Sequence, residues 1–431
     1  MRWHMKRAFV LAGGGSKGAY EIGFYKAIQE LGIQPDIVTG TSIGALIGCM
    51  IAQNDYEEAV RLWENMDITQ VMNNGISVSM NIDSLVTQRN RVVPFFKQFI
   101  HDKGADITPL KEMIIRLSDQ ERLLASPIDF GLVTVEYPSL KPVQITKHEM
   151  APDTLKDYLI ASASCYPAFP AHVMDGKEYV DGGYYDNLPV RLAMKMGADE
   201  LVLVDLNHKK IIHEEYLHRP NIKYIIPSQD LGNFLDFDRE NLDRRIQLGY
   251  LDTMKAFNAY DGFVYTYIQR RTDAAAIRFY NLILDIEAEL NDGMIRKKVK
   301  VFNPQPLTDV LRNYTRKQAL AIKDYDHAAM EICAQILDID VTPIYEIKEL
   351  RKLIRSEFLK QRSNTDEIVE GMRNKNLSTV KMLLNSLNSK QILSLIVSQI
   401  MKSETYLFEP RSFFPLIDKE YVAALYLANM K

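Results

Sequence analysis

The first half of this chain alternates short apolar runs with helical patterns. Strand–turn–helix repeats of this kind predict an α/β fold with a mostly parallel central sheet and helices on both faces. The predicted strands are Lys6–Ala12, Asp36–Thr39, Ile128–Val135, Val143–Thr146, Glu178–Val180, Leu201–Leu206 and Tyr224–Ile226, and the predicted helices are Ala19–Leu31, Ile43–Gln53, Asp55–Met66, Thr154–Ala163 and Val190–Met196.

The second half has a different pattern, because strand-like runs fade after about Asp261 and helical patterns dominate. A chain of 431 residues also exceeds the size at which a single hydrophobic core usually stops growing. We therefore predict one domain over residues 1–260 and a mainly helical region over residues 261–431. From Arg351 onward, 13 Lys and Arg stand against 8 Asp and Glu. This surplus suits peripheral contact with an anionic membrane or an ordinary solvated helical face, and the second is favoured because the charges are spread out.

Composition excludes several classes of protein. Hydrophobic residues make up 47% of the chain, which excludes general disorder. The net charge of −4 lacks the basic footprint that nucleic-acid binding requires. The cysteines, Cys49, Cys165 and Cys333, lie far apart, without the spacing of a metal site or a disulfide framework. They fit a reducing compartment, so we expect a cytoplasmic protein.

No segment has the length of a membrane anchor. The longest nearly apolar stretches, Ile43–Ala52 and Ile392–Met401, are about half of the ~20 residues that span a bilayer. The apolar run Ala8–Ala12 is shorter than the ~7–15 residues of a signal-peptide core. We therefore expect neither a signal peptide nor a spanning helix, although the protein can still lie on a membrane.

A Gly-rich turn, residues 13–18, follows the first predicted strand and opens a helix. Its G-x-G-x-x-G spacing is found in dinucleotide-binding turns, but those need an acidic residue at the end of the second strand. The nearest candidate, Asp36, stands before that strand, and no Walker lysine follows the turn. The other interpretation is an oxyanion hole, in which the backbone N–H groups of successive glycines point at one spot.

The segment Gly40-Thr41-Ser42-Ile43-Gly44 matches G-x-S-x-G between a short strand and an apolar helix, which is the context of a nucleophile elbow. The flanking glycines permit a sharp turn that exposes the Ser42 hydroxyl above the sheet. The alternative is a serine that only caps the helix. Likewise, the apolar helix after Ser42 can wall an acyl channel or belong to the core.

A nucleophilic serine needs a base, and no histidine is an obvious one. A Ser…Asp…His order would require one of the three histidines after Leu206, namely His208, His213 and His218. Asp181-Gly182-Gly183 is a better partner, because it ends a predicted strand and functional groups gather at the carboxyl ends of strands in parallel sheets. Asp-Gly is also the usual signal of a β-turn, which remains the alternative.

Taken together, the Gly-rich turn, the Ser42 segment and the Asp181 segment closely resemble the three signature blocks of the patatin-like phospholipases. The small-residue stretch 161–167, together with Asn187 and Pro189, matches the family as well. The resemblance extends from Lys6 to about Leu206. It implies a three-layer α/β domain, and it implies hydrolysis of fatty-acyl esters of phospholipids or related lipids by a Ser-Asp dyad without histidine.

By this resemblance Ser42 is the nucleophile and Asp181 the base, and an acyl-Ser42 intermediate is hydrolysed by water. Backbone N–H groups of the turn Gly13, Gly14 and Gly15 hold the oxyanion. A free carboxylate has a pKa of about 3.9 and is a weak base, so we expect burial to raise the pKa of Asp181.

Lys17 can pair with a substrate phosphate or with a neighbouring carboxylate, and the second is favoured. We expect no metal and no cofactor, and a lipid ester as the partner. The oligomeric state is not set by the sequence. Two rival hypotheses remain, a nucleotide-binding module that uses the Gly-rich turn, and a regulatory protein that acts through its helical half.

Overall fold

The computed structural model describes residues 5–73, 105–268, 274–297, 306–361, 386–403, 406 and 417–430. The chain divides into two compact units, residues 1–257 and 258–431. The first unit is built on a mixed sheet, and the second is mainly helical. Within the described ranges, no helix combines the length and the apolar character that crossing a bilayer requires.

The sheet of the first unit has eight strands: β1 Arg7–Leu11, β2 Ile37–Thr41, β3 Asp129–Tyr137, β4 Lys141–Thr146, β5 His172–Met174, β6 Lys177–Asp181, β7 Glu200–Val204 and β8 Ile222–Ile225. Their order is β5-β6-β3-β2-β1-β7-β8, and β4 also pairs with β3. All pairs among β1, β2, β3, β7 and β8 are parallel, whereas β4, β5 and β6 pair in antiparallel fashion. The predicted α/β fold with a mostly parallel sheet is confirmed.

The central strands are covered on both faces. Every residue of β2 is buried, and so are four of the five residues of β1, with no alternation between buried and exposed positions. Such continuous burial requires helices on both sides of the sheet. The helices of this unit are Gly18–Glu30, Ile43–Ala52, Tyr56–Glu64, Thr108–Leu117, Gln120–Ala125, Leu155–Ser162, Val190–Lys195 and Arg239–Ala256.

Strand β3 brings the ends of two other strands together. Strand β4 pairs with residues 131–136 of β3. On the opposite edge, β2 pairs in parallel with residues 129–133, and β6 pairs in antiparallel fashion with residues 134–137. Thr41 thus lies opposite Val133, and Asp181 lies opposite the next residue, Thr134. Strands β2 and β6 therefore run toward each other and meet at their carboxyl ends.

The second unit contains the helices Ala274–Lys297, Leu307–Thr315, Ile322–Ile336, Ile347–Gln361, Ser389–Ser403 and Asp418–Asn429. Two short strands, Thr266–Tyr267 and Ile344–Tyr345, form a separate parallel pair.

The sequence patterns do not predict the helix Arg239–Ala256. Its buried face carries Leu242 and Ile246, but also Arg245 and Asp252. Charged side chains on the buried face interrupt the apolar periodicity from which an amphipathic helix is recognised. The three-residue strand β5 is likewise too short to produce an alternating pattern.

Candidate active site

The Gly-rich turn follows β1 and continues as a 3₁₀ turn over Gly15–Lys17. Gly15 has a φ of +56°, and a Cβ on it would overlap the carbonyl oxygen of Phe234, so glycine is required there. The amide of Gly13 donates to the carbonyl oxygen of Asn187 at 3.1 Å. Among the described residues, no hydrogen bond joins the amides of Gly14 or Gly15 to a protein acceptor. Gly14 and Gly15 are therefore the open donors of the turn, and the assignment of Gly13, Gly14 and Gly15 to an oxyanion hole stays a prediction.

Ser42 lies at a strained turn beside those glycines. Its backbone has φ 55° and ψ −125°, a conformation that L-residues rarely adopt and that is frequent at active sites. The turn is tight, since a Cβ on Gly40 would overlap the backbone of Gly44. A Cβ on Gly13 would lie 3.1 Å from the Cβ of Ser42, which places the Gly-rich turn against the serine.

The Ser42 hydroxyl does not cap its helix, although the residue occupies the N-cap position of Ile43–Ala52. The hydroxyl instead lies close enough to the Asp181 carboxylate to lower the pKa of that group. The Ser42 amide donates to Ser162 Oγ at 2.9 Å, and Ser162 Oγ donates to the carbonyl oxygen of Val133 at 2.7 Å. Ser162 thereby fixes the elbow to β3, the strand that also pairs with the end of β6.

Asp181 is the last residue of β6 and is only 7% exposed. Its Oδ1 accepts a hydrogen bond from the Gly183 amide at 2.7 Å, so Asp181 caps the 3₁₀ turn Gly182–Tyr184. Burial raises the pKa of Asp181 to about 6, and the hydrogen bonds from Ser42 and Gly183 partly oppose this rise. The expectation that burial makes this carboxylate a stronger base is confirmed.

The histidines considered for a triad make their contacts elsewhere. His208 Nδ1 lies 2.8 Å from the carbonyl oxygen of Pro227. His213 Nε2 lies 3.2 Å from the carbonyl oxygen of Leu188. Within the part of the chain that the structure describes, no hydrogen bond joins a histidine to Ser42 or Asp181.

Lys17 lies half-buried beside the turn. Burial lowers the pKa of its ammonium group, and the charges of Asp230 and Asp205 oppose that shift. These carboxylates fit the interpretation of Lys17 as the partner of protein charges. Contact between Lys17 and a substrate phosphate stays a prediction. Across the described residues, no group of three or more His, Cys, Asp or Glu side chains is placed to hold a metal ion.

An apolar pocket opens at Ser42. Side chains from four regions line it: the start of the helix after Ser42, the segment 63–71 with the helix Thr108–Leu117, the loop 163–169 and the loop 234–237. Its lining residues are Gly15, Ser42, Ile43, Leu46, Trp63, Met66, Val71, Leu110, Met113, Ile114, Ala163, Cys165, Phe169, Phe234, Leu235 and Phe237. In the helix after Ser42, Ile43 and Leu46 line the pocket while Ile47 and Cys49 are buried, and the role of an acyl-channel wall stays a prediction.

Cys165 is the second side chain of nucleophilic type on the pocket wall. Burial, and to a smaller extent the charge of Asp181, raise the pKa of its thiol to about 11. The thiol is therefore protonated at neutral pH, and a protonated thiol is a poor nucleophile.

Sequence reasoning missed two residues that support this site. Ser162 lies in a stretch that the motif comparison includes, but only the structure shows that its hydroxyl binds the Ser42 amide. Arg245, on the helix that the patterns do not predict, donates to Ser16 of the Gly-rich turn. Neither residue belongs to a recognisable catalytic pattern.

Part of this chain is similar to known proteins. Residues 9–194 match the family model of the patatin-like phospholipases. Human patatin-like phospholipase domain-containing protein 6 is 28% identical over 203 residues, which cover 46% of this chain and 13% of that protein. Neuropathy target esterase sws of Drosophila melanogaster is 28% identical over 204 residues, 46% of this chain and 12% of that protein. Lysophospholipase NTE1 of Mycosarcoma maydis is 26% identical over 207 residues, 47% of this chain and 10% of that protein. The match thus spans about an eighth or less of these relatives.

Proposed function

We propose that this chain, which carries a patatin-like phospholipase domain over residues 9–194, cleaves fatty-acyl esters of lipids through an acyl-serine intermediate. The observation that carries the proposal is that the Ser42 hydroxyl lies beside the buried Asp181 carboxylate, whose pKa it lowers, at an apolar pocket. We assign the activity to the first unit and no role to the second.

In the first half-reaction Asp181 takes the Ser42 proton while Ser42 Oγ bonds to the ester carbonyl carbon. The carbonyl oxygen becomes an oxyanion, which the amides of Gly14 and Gly15 stabilise. The C–O bond to the alcohol then breaks, and the alcohol leaves with the proton from Asp181. In the second half-reaction Asp181 takes a proton from water, the hydroxide attacks acyl-Ser42, and the proton returns to Ser42 as the fatty acid leaves.

The raised pKa of Asp181 suits this role. At a pKa of about 6 the carboxylate is mostly ionised at pH 7, yet it binds a proton far more readily than a solvated aspartate does. It is still a weaker base than a histidine with a raised pKa, so the oxyanion donors carry much of the rate. One such donor contributes about 3–4 kcal/mol in comparable enzymes.

The lining of the pocket supports a lipid substrate. Its walls are almost entirely aliphatic and aromatic side chains, which fit an acyl chain and offer few partners to a polar acyl group. One relative is named as an esterase and another as a lysophospholipase, which supports an ester of a lipid as the substrate. We therefore propose a phospholipid, lysophospholipid or related acyl ester as the substrate, met at a membrane surface from the cytoplasmic side.

The test is labelling of purified protein with a long-chain alkyl fluorophosphonate, followed by lipidomic incubation. We expect the probe on Ser42, and loss of both labelling and ester turnover in Ser42→Ala, by at least about a thousandfold. The matched control is Cys165→Ser, which changes the other nucleophilic side chain of the pocket and keeps the labelling. Probe attached to Cys165, or wild-type turnover in Ser42→Ala, would refute the proposal.

A further inference from the structure

Arg245 is a buried guanidinium that lies beyond the family match, on the helix Arg239–Ala256, and only 2% of its side chain is exposed. All five of its N–H groups have acceptors. Nε donates to the Leu231 carbonyl at 2.7 Å. Nη1 donates to Ser16 Oγ at 2.9 Å and to the Asp236 carbonyl at 2.7 Å. Nη2 donates to the Asn233 carbonyl at 3.3 Å and to Asp236 Oδ2 at 3.2 Å.

These contacts fasten the loop 231–236 to the Gly-rich turn. The Ser16 amide donates to the carbonyl oxygen of Phe234 at 2.8 Å, and Ser16 Oγ donates to the carbonyl oxygen of Asn233 at 3.1 Å. Gly15, the neighbour of Ser16, packs against the Phe234 backbone so closely that no side chain fits between them. The loop therefore forms the back wall of the turn.

The orientation of the Gly-rich turn depends on the loop 231–236. The amides of Gly13, Ser16 and Lys17 are held by the acceptors Asn187, Phe234 and Gly14 respectively. Gly14 and Gly15 lie between two of these fixed points, and their own amides bind no described acceptor. Their direction is thus set by the amides on either side, one of which rests on the loop that Arg245 holds.

We propose that Arg245 is a positioning residue that sets the direction of the Gly14 and Gly15 amides through Ser16 and the loop 231–236. The inference rests on the proposed function, in which these amides hold the oxyanion. It also explains a buried charge with one carboxylate partner: only arginine offers five donors in a fixed planar fork. A lysine at this position keeps the charge but loses two of the five donors.

The test compares wild type with Arg245→Lys, Arg245→Met and Ser16→Ala on a long-chain nitrophenyl ester. Because donor removal from an oxyanion hole lowers kcat by about 10²–10³-fold, we expect about a hundredfold loss in Arg245→Met. We expect smaller losses in Arg245→Lys and Ser16→Ala. Each variant is also titrated with a long-chain trifluoromethyl ketone, whose adduct bears an oxyanion, and with an ether analogue that lacks the carbonyl.

The expected signature is that affinity for the ketone falls in step with kcat while affinity for the ether analogue stays within about threefold. Tyr20→Phe is the control, since it removes a hydrogen bond to Asp252 of the same helix. Unchanged kcat in folded Arg245→Met and Ser16→Ala, or equal losses for ketone and ether, would overturn the inference. If Arg245→Met does not fold, Ser16→Ala decides alone. A wild type without ester turnover or Ser42 labelling overturns the proposed function itself.

Discussion

Among the buried carboxylates of the two units, Asp181 and Glu331 differ in how many hydrogen bonds they accept. Asp181, in the first unit, accepts a hydrogen bond from the Gly183 amide and lies beside the Ser42 hydroxyl, which lowers its pKa. Glu331, on the helix Ile322–Ile336 of the second unit, is 0% exposed. It accepts hydrogen bonds from three backbone amides and two tyrosine hydroxyls, those of Phe263, Val264, Tyr265, Tyr267 and Tyr314.

The number of hydrogen-bond donors around each carboxylate indicates whether it has a structural or a basic role. Five donors replace most of the hydration that Glu331 loses, and they tie the segment 263–267 to the helix. Burial, together with the Glu331 charge, raises the pKa of Tyr267 and Tyr314, so both tyrosines remain donors. Asp181 has fewer donors than a carboxylate can use, and one of them is the hydroxyl that loses its proton in the proposed reaction. We infer that Glu331 stabilises the fold, whereas Asp181, with its raised pKa, can accept a proton in the proposed reaction.

The strongest test of this contrast is Asp181→Asn. An amide cannot take the Ser42 proton, so we expect kcat for a lipid ester to fall by at least about a thousandfold while the fold survives. The matched control is Asp186→Asn in the same loop, whose carboxylate Oδ1 accepts from the Leu188 amide instead. Wild-type turnover in Asp181→Asn, measured on folded protein, would remove Asp181 from the mechanism.

The substitution Glu331→Gln tests whether the other carboxylate stabilises the second unit. The glutamine amide turns N–H groups toward donors that then lack an acceptor, so we expect the second unit to lose about 3 kcal/mol of unfolding free energy. Hydrogen exchange of the segment 258–268, followed in urea, measures this locally. Glu349→Gln, the same change at an exposed position, is the control and should leave exchange unchanged. Equal protection in both variants would mean that the five donors contribute little.

The pH dependence of kcat/KM examines the basicity of Asp181 directly. Because its pKa is about 6 and the base must be ionised, kcat/KM falls about tenfold per unit below pH 6, to about a hundredfold loss at pH 4. An uncharged nitrophenyl ester avoids titration of the substrate. A midpoint near 4, the ordinary range of aspartate, would show that burial does not tune this group.

The motifs around Ser42 and Asp181 could be identified from the sequence because local turn chemistry dictates them. The sharp turn at Ser42 needs the glycines on either side, and Asp-Gly marks the end of β6. Their meeting could not be read from the sequence, since it depends on β3 pairing with β2 at Val133 and with β6 at Thr134. A register between distant strands leaves no local signal.

The support of the Gly-rich turn was harder still to foresee. Arg245 and Asp252 occupy buried positions where a helix normally places apolar side chains, so the pattern conceals the helix Arg239–Ala256. The loop 231–236 has neither strand nor helix periodicity. Its role follows only from backbone carbonyls that accept from Ser16 and Arg245, and carbonyl groups are common to every residue. Sequence patterns therefore identify the proposed reacting groups better than the residues that position them.

The smallest effect that we expect concerns stability, and its sign separates the two carboxylates. The folded protein holds the pKa of Asp181 near 6 instead of its usual 3.8, so it binds more protons than the unfolded chain between about pH 4 and pH 6. Stability therefore falls as pH rises through that window, by up to about 3 kcal/mol.

Asp181→Asn does not lose stability as pH rises through this window, because asparagine does not titrate. The asparagine amide forms weaker hydrogen bonds with its neighbours, which offsets part of this gain. We expect the variant to exceed wild type by about 1–2 kcal/mol at pH 8, and the gain to vanish near pH 4. Urea denaturation of both proteins at the two pH values measures it. Asp186→Asn again serves as control. If Asp181→Asn is the less stable protein at pH 8, the Asp181 carboxylate is stabilised in the fold as Glu331 is, and the contrast between the two units does not hold.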